Sequence, residues 1–403
     1  MSASALPLAG IRVVEFVHMV MGPTCGLVLA DLGAEVIKVE PVDGDNTRRL
    51  TGSGAGFFAA SNRNKKSLAI DVEDPAGNAA VLKLVATADI VTENFRRGAM
   101  DRLGFGYAAL KRVKPDLIYV SHKGFLAGPY EDRTALDEVV QMMAGLADMT
   151  GPPGRPLRAG SSVNDIMGGM FGAIGALAAL AERGRTGAGR RIDSGLFENC
   201  VLLVAQHMMQ FAVTGTPAAP MPARISAWGI YDVFSLADGT QLFLGVVSDT
   251  QWRAFCAALG RRDWADDGRL ASNPMRVAAR PWLLPLVIEE LQRRTAEQLI
   301  ELATGAGLPW APITRPEDLL HDPHLLASGG LAPTRLPDGR EALSPLLPLA
   351  WDGDRLRKRL DPPGIGEHTE EVLRGAGLAS AEIDELVSRG IAAVPAAPAP
   401  SRR

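Results

Sequence analysis

The sequence predicts an α/β protein with a mainly parallel sheet in a large domain and a smaller α+β domain after it. Three observations carry this. Apolar strands alternate with helical segments from Ile11 to Ser121, a long glycine-rich apolar helix follows at Asp165, and a hairpin pattern begins at Tyr231.

Ile11–Phe16 and Glu35–Glu40 have the Val/Ile runs of buried strands, and Cys25–Leu32 between them reads as helix, which makes a βαβ start. The pattern repeats through Ser67–Asp71, a helix over about Ala76–Ala86, Ile90–Glu93, a helix over Tyr107–Val113 and Leu117–Ser121. Such alternation implies a Rossmann-like sheet covered on both faces. Its ligands bind at the carboxyl ends of the strands, where this chain carries His18, Asn94 and Lys123. Asp165–Ala181 is slightly short of the roughly 20 apolar residues of a membrane span and predicts a buried helix. Gly168, Gly169, Gly172 and Gly175 lower its helix propensity and point to close approach by another backbone. His207–Gln210, on a second apolar helix, reads as core. Beyond the Pro/Ala-rich stretch 214–222, Tyr231–Ser235 and Gln241–Val247 read as a hairpin. Helices over Trp252–Leu259, Trp282–Arg294 and Ala296–Thr304 complete the smaller domain, and the Pro/Ala run from about Val394 reads as a disordered tail.

The 403 residues are 47% hydrophobic, enough for one large core and a second smaller one. A formal charge of -4 is spread along the chain, so nucleic-acid binding is not expected. Cys25, Cys200 and Cys256 lie far apart without CxxC spacing, which argues against a zinc site, a redox pair or a disulfide framework and fits a reducing cytoplasm. The opening MSASALPLAG lacks the basic and apolar regions of a secretory signal, and no membrane role is expected.

There is no P-loop, no G-x-G-x-x-G after the first strand, no G-x-S-x-G and no HExxH. What stands out is Asp165, opening the glycine-rich helix after Gly160-Ser-Ser-Val-Asn164. A helix N-terminus favours its ionised form, while apolar neighbours leave it poorly solvated and reactive. The plain alternative is a helix-capping acid.

Here the chain resembles the class III CoA-transferases, the family of formyl-CoA transferase, carnitine CoA-transferase and α-methylacyl-CoA racemase. The likeness runs over nearly the whole chain in ordered pieces: Gly22-Pro23, Ala30–Glu40, Asn62–Ser67, Glu93-Asn-Phe95, Asn164-Asp165 and Arg185–Gly189. The resemblance implies that Asp165 attacks an acyl-CoA thioester, giving an aspartyl mixed anhydride and an aspartyl-CoA thioester before CoA returns on the acceptor acid. An anhydride keeps the acyl group activated, so no metal and no permanently bound cofactor is expected, only the coenzyme A thioester as substrate. By the same resemblance His18, Met19, Met21, Lys65, Lys66, Asn94, Phe95, Arg102 and Lys123 bind CoA, and the amides near Trp228 and Gly229 stabilise the oxyanion. Each basic residue reads equally as a solvated surface charge, Arg96-Arg97 as a helix entrance and His122 as a structural histidine. Short dicarboxylates such as succinate, malate, mesaconate or glutarate are the acids considered, with succinyl-CoA as donor and Arg48 or Arg224 against the distal carboxylate.

Two other readings remain open. An acyl-CoA racemase needs a second acid/base, and where that branch of the family has a histidine this chain has Leu136, leaving His122 as the nearby candidate. A noncatalytic CoA-binding protein is the other. The resemblance also implies an interlocked homodimer, with residues 1–215 forming the first part of a large CoA-binding domain, 225–325 the small domain, 330–393 a return to the large domain and 394–403 the tail.

Overall fold

The computed structural model describes residues 6–224 and 226–395. It separates into two compact units, one formed by residues up to Pro222 together with those from Pro323 onward, the other by Ala223–Asp322. Residues 396–403 of the expected tail lie outside the described residues.

The larger unit begins with β1 (Arg12–Phe16), α1 (Met21–Asp31), β2 (Glu35–Glu40), β3 (Lys65–Ile70), α2 (Pro75–Val85), β4 (Ile90–Glu93), α3 (Tyr107–Val113) and β5 (Ile118–Lys123). It continues through α4 (Asp137–Met143), α5 (Val163–Thr186), β6 (Arg191–Gly195) and α6 (Leu196–Thr214). The strands lie in the order β3-β2-β1-β4-β5-β6, all parallel, and Ala392–Ala393 adds an antiparallel edge beside β3. This is the Rossmann order, whose direction of winding switches between β1 and β4. Alternate strand residues feed two cores. Val14, Ile37, Leu68 and Val91 pack with α2, α3 and the C-terminal Leu373 and Ile383, whereas Val13, Val36, Ile90 and Ile118 pack with α1 and α5. Burial on both faces explains why the strands are Val/Ile runs rather than alternating patterns.

α5 is seated by its glycines. A Cβ built on Gly169 would lie 2.4 Å from the Met21 carbonyl oxygen and 3.0 Å from the Cys25 amide of α1, so the two helix backbones meet as only a residue without a side chain allows. A Cβ on Gly172 would sit 2.3 Å from the His122 ring at the end of β5. The buried-helix expectation holds for this face alone, because Ile166, Met170, Phe171 and Ile174 are exposed on the other. α6 corrects the core reading of His207–Gln210: Met208 is 55% and Met209 60% exposed. Only its Leu196–Val204 side packs within the chain, and a helix apolar all round gives no sign in sequence of which face is left over. Both helices are long and apolar enough to cross a membrane, by length and composition only, as core helices of soluble proteins also are.

The smaller unit carries β7 (Ile230–Ser235), β8 (Gln241–Val246), α7 (Asp249–Leu259), α8 (Asn273–Leu291), α9 (Ala296–Gly305) and β9 (Trp310–Pro312). β7, β8 and β9 form an antiparallel sheet, and its core gathers Leu244, Trp252, Phe255, Leu283 and Leu299.

Gly169→Val is expected to destabilise the protein by about 2 kcal/mol or more, since backbone rather than a flexible side chain stands in the way of the added atoms. Urea unfolding checks this, and an unchanged midpoint would contradict the seam.

Candidate active site

Asp165 lies in the first turn of α5, where the Ser162 side chain makes no capping bond. The cap comes from elsewhere. Asp137, at the start of α4, accepts through Oδ2 from the amides of Asn164 at 2.9 Å and Asp165 at 3.1 Å. Its Oδ1 accepts from Gln141 Nε2 at 2.5 Å, and Gln141 in turn accepts the Ala159 amide at 2.8 Å. Arg158 brings its guanidinium to 3.6 Å from Asp137. Two carboxyls therefore share one helix end. Burial, then the charge of Asp137, push the Asp165 carboxyl up to about 7, with Arg158 opposing. The ionised Asp165 is consequently poorly stabilised near neutral pH, a condition that favours attack on an acyl carbon.

The switch between β1 and β4 lies beside this helix. Asn94 accepts the His18 amide at 3.0 Å and donates to the His18 carbonyl at 2.8 Å, so its side chain ties the two strand ends together. The Phe95 ring lies 5.3 Å from that of His18. Lys123 donates to both Glu93 oxygens, at 2.8 and 2.9 Å, and to the Phe95 carbonyl at 2.6 Å, which fixes the loop after β4. A cavity of about 680 Å³ opens here, lined among others by His18, Phe95, Arg96, Arg102 and Lys123. The side chains of Arg96 and Arg102 have no hydrogen-bond or ion-pair partner among the described residues and face it as open cations. Met19, exposed and at φ 62°, forms the lip of the β1–α1 loop, while Met21 is buried against Gly168. Arginines over phosphate and an exposed ring over adenine suit the polar end of coenzyme A.

Several sequence-predicted residues are engaged elsewhere. Lys65 is fully buried, with its ammonium 2.8 Å from Glu15, 2.9 Å from the Pro23 carbonyl and 3.2 Å from Asn62. A buried cation held by that carboxylate has no face for a phosphate. Lys66 pairs with Glu35 at 2.7 Å and Glu371 at 2.6 Å, at the amino end of β3. Arg48 is bidentate on Glu40 and donates to the Pro363 carbonyl, so it is not open to a substrate carboxylate. In the smaller unit the Trp228 amide donates to Ser226 Oγ and the Gly229 amide to Asn273 Oδ1, both at 3.2 Å, so neither is an open oxyanion donor. His122 is buried, shares a hydrogen bond with Thr92 at 3.1 Å, and is held down to about 3 by burial and the charge of Lys123. A histidine so hard to protonate is a weak base, and Leu136, 60% exposed on the same cavity, supplies none. Asp137, Gln141 and Arg158 are the residues that sequence reading passed over.

The model of CoA-transferase family III fits residues 8–369. The chain belongs to CoA-transferase family III. The succinate–glutarate CoA-transferase of Agrobacterium fabrum is 35% identical over 91% of this chain and 95% of its own length. The human succinyl-CoA:glutarate CoA-transferase is 28% identical over 96% of this chain and 90% of its own. Among solved structures, a CaiB/BaiF family protein from Brucella suis superposes with a TM-score of 0.82 at 33% identity, covering 92% of this chain and 99% of that one. This CoA-transferase is an enzyme that moves CoA between an acyl-CoA and a carboxylic acid.

A carboxyl whose folded-state pKa is raised binds its proton more tightly when folded, so stability is lost as pH rises between the ordinary 3.8 and about 7. Asp165→Asn removes that penalty. The variant is expected to melt higher than wild type near pH 8, with the gap closing toward pH 4, in thermal denaturation across a pH series; a variant that melts lower near pH 8 would contradict the assignment.

Proposed function

We propose that Asp165 is the covalent nucleophile of CoA transfer from succinyl-CoA to a short dicarboxylic acid. The observation that carries this is the pairing of an activated carboxyl at the start of α5 with a second carboxylate, Asp137, on the same helix end. As a plain helix cap Asp165 would accept the orphan amides, but Asp137 already does so, leaving the Asp165 side chain for chemistry.

In the proposed sequence the Asp165 carboxylate attacks the thioester carbonyl and expels CoA as thiolate, forming a mixed anhydride. The thiolate attacks the Asp165 side of the anhydride and releases the donor acid, leaving an aspartyl-CoA thioester. The acceptor carboxylate displaces CoA from Asp165, and CoA then takes the acceptor acyl group. Each step exchanges a carboxylate for a thiolate or the reverse, so no proton or electron must be supplied. CoA sits by its phosphates near Arg96 and Arg102, with Phe95 beside the adenine. Related enzymes, which include glutarate, mesaconate and D-citramalate transferases named for succinyl-CoA, support the choice of acids. A homodimer belongs to the same reading, supported by the exposed apolar faces of α5 and α6, where Met170, Ile174, Met208, Met209 and Phe211 await a cover, and the three cysteines without CxxC spacing fit a cytoplasmic setting.

Mass spectrometry of products from succinyl-CoA and a panel of carboxylic acids is expected to show a new acyl-CoA with wild type and none with Asp165→Ala. Because only the ionised form reacts, kcat/KM for succinyl-CoA is expected to rise through about pH 7 and level off above it. Turnover by Asp165→Ala, or α-proton exchange without transfer, would overturn the reading.

A further inference from the structure

Arg158 lies beside the helix end that carries Asp165, and its carboxylate partners hold it only loosely. Its Nε donates to the Ala159 carbonyl at 3.1 Å, but its contacts with Asp137 and Glu138 are 3.6 and 3.8 Å, beyond a good charge-assisted hydrogen bond, and its side chain is 36% exposed. Structural arginines of the same unit are held far more closely, Arg48 at 2.6 Å from Glu40 and Arg63 at 2.6 Å from Asp31. Among the described residues, Arg158 also has the only charged side chain lining a cavity of about 930 Å³, whose walls include Phe57, Ile166, Met170 and Leu349. The loop that bears it is built into the site: Gln141 holds Ala159, and the same Gln141 holds Asp137 against the amide of Asp165.

The charges make the need for such a residue plain. Asp137 and Glu138 lie beside this helix end, and an incoming anion meets like charge from both, whereas Asp165, acylated in this step, carries none. Among the described residues, Arg158 is the one cation that bears on Asp165.

We propose that Arg158 is the specificity-determining residue of the acceptor half-reaction, pairing with the second carboxylate of a dicarboxylic acid whose first carboxylate attacks the acylated Asp165. The proposal rests on Asp165 being the nucleophile. In the step it serves, an acceptor oxygen forms a bond to the Asp165 acyl carbon while the bond from that carbon to sulfur breaks, and CoA leaves as thiolate. One anion replaces another. Arg158 keeps the second carboxylate of the acid engaged, and the aliphatic chain between the two carboxylates lies against the apolar wall.

The test compares glutarate with pentanoate, which has the same chain length and one carboxylate fewer, as acceptors from succinyl-CoA. Wild type is expected to favour glutarate. Arg158→Ala is expected to lower the glutarate-to-pentanoate ratio of kcat/KM roughly 10- to 100-fold, with Arg158→Lys retaining part of it. Equal losses for both acids would show a role only in positioning Asp137 and would overturn the proposal, as would an unchanged ratio. Wild type that transfers CoA to neither acid would instead overturn the proposed pairing of succinyl-CoA with a short dicarboxylic acid.

Discussion

The first amides of α5 have no acceptor within their own helix, and one oxygen of Asp137 serves two of them, at Asn164 and Asp165. That pair of bonds governs the site in three ways. It fixes the helix end, it relieves Asp165 of a capping duty, and it places a negative charge beside the Asp165 carboxyl. The helix N-terminus alone would stabilise the Asp165 carboxylate; burial and Asp137 outweigh it. Withheld solvation would make the carboxylate of this proposed nucleophile reactive, in the same way that apolar surroundings raise catalytic carboxyls elsewhere.

The glycine seam carries this arrangement to the sheet. Gly169 lets α5 rest on the α1 backbone, and Gly172 lets it rest on His122 at the end of β5, so the proposed nucleophile is referenced to the carboxyl ends of β1 and β5 through close contacts of the helix backbone. The loops after β1 and β4 are tied by Asn94, and the cavity they bound holds the open arginines. Two of the residues expected to touch CoA thus act by holding the wall of the cavity: Asn94 through the His18 backbone, and Lys123 through Glu93 and Phe95. The exposed cations that remain are neighbours in sequence of the motif, not its most polar members.

The parallel sheet was legible because burial on both faces leaves uninterrupted Val/Ile runs, and β2, β4 and α3 begin and end where the pattern does. The glycines of α5 were legible as a close approach because they cost helix propensity that packing alone would not require. Lys65 was misleading for a physical reason: a lysine on a strand reads as exposed, and its partner Glu15 lies 50 residues away on a separate strand. Asp137 and Arg158 left no local pattern, since capping across 28 residues depends on tertiary contact alone. The Gly229 amide met the same obstacle, its acceptor Asn273 being 44 residues distant. The outer face of α6 looked like core because apolar residues encircle the helix, and sequence does not say which of them pack within one chain.

As the proposed nucleophile, Asp165 should become joined to a substrate carboxylate during turnover. Heavy-oxygen-labelled glutarate, supplied with succinyl-CoA, tests it most directly, because collapse of the acceptor anhydride by attack of CoA on the acceptor carbonyl leaves the bridging oxygen on the enzyme. Peptide mass spectrometry after a single turnover, with enzyme in excess over succinyl-CoA, should find one heavy oxygen in the peptide containing Asp165 and none in the peptide containing Asp137. Turnover that leaves Asp165 unlabelled would contradict the account.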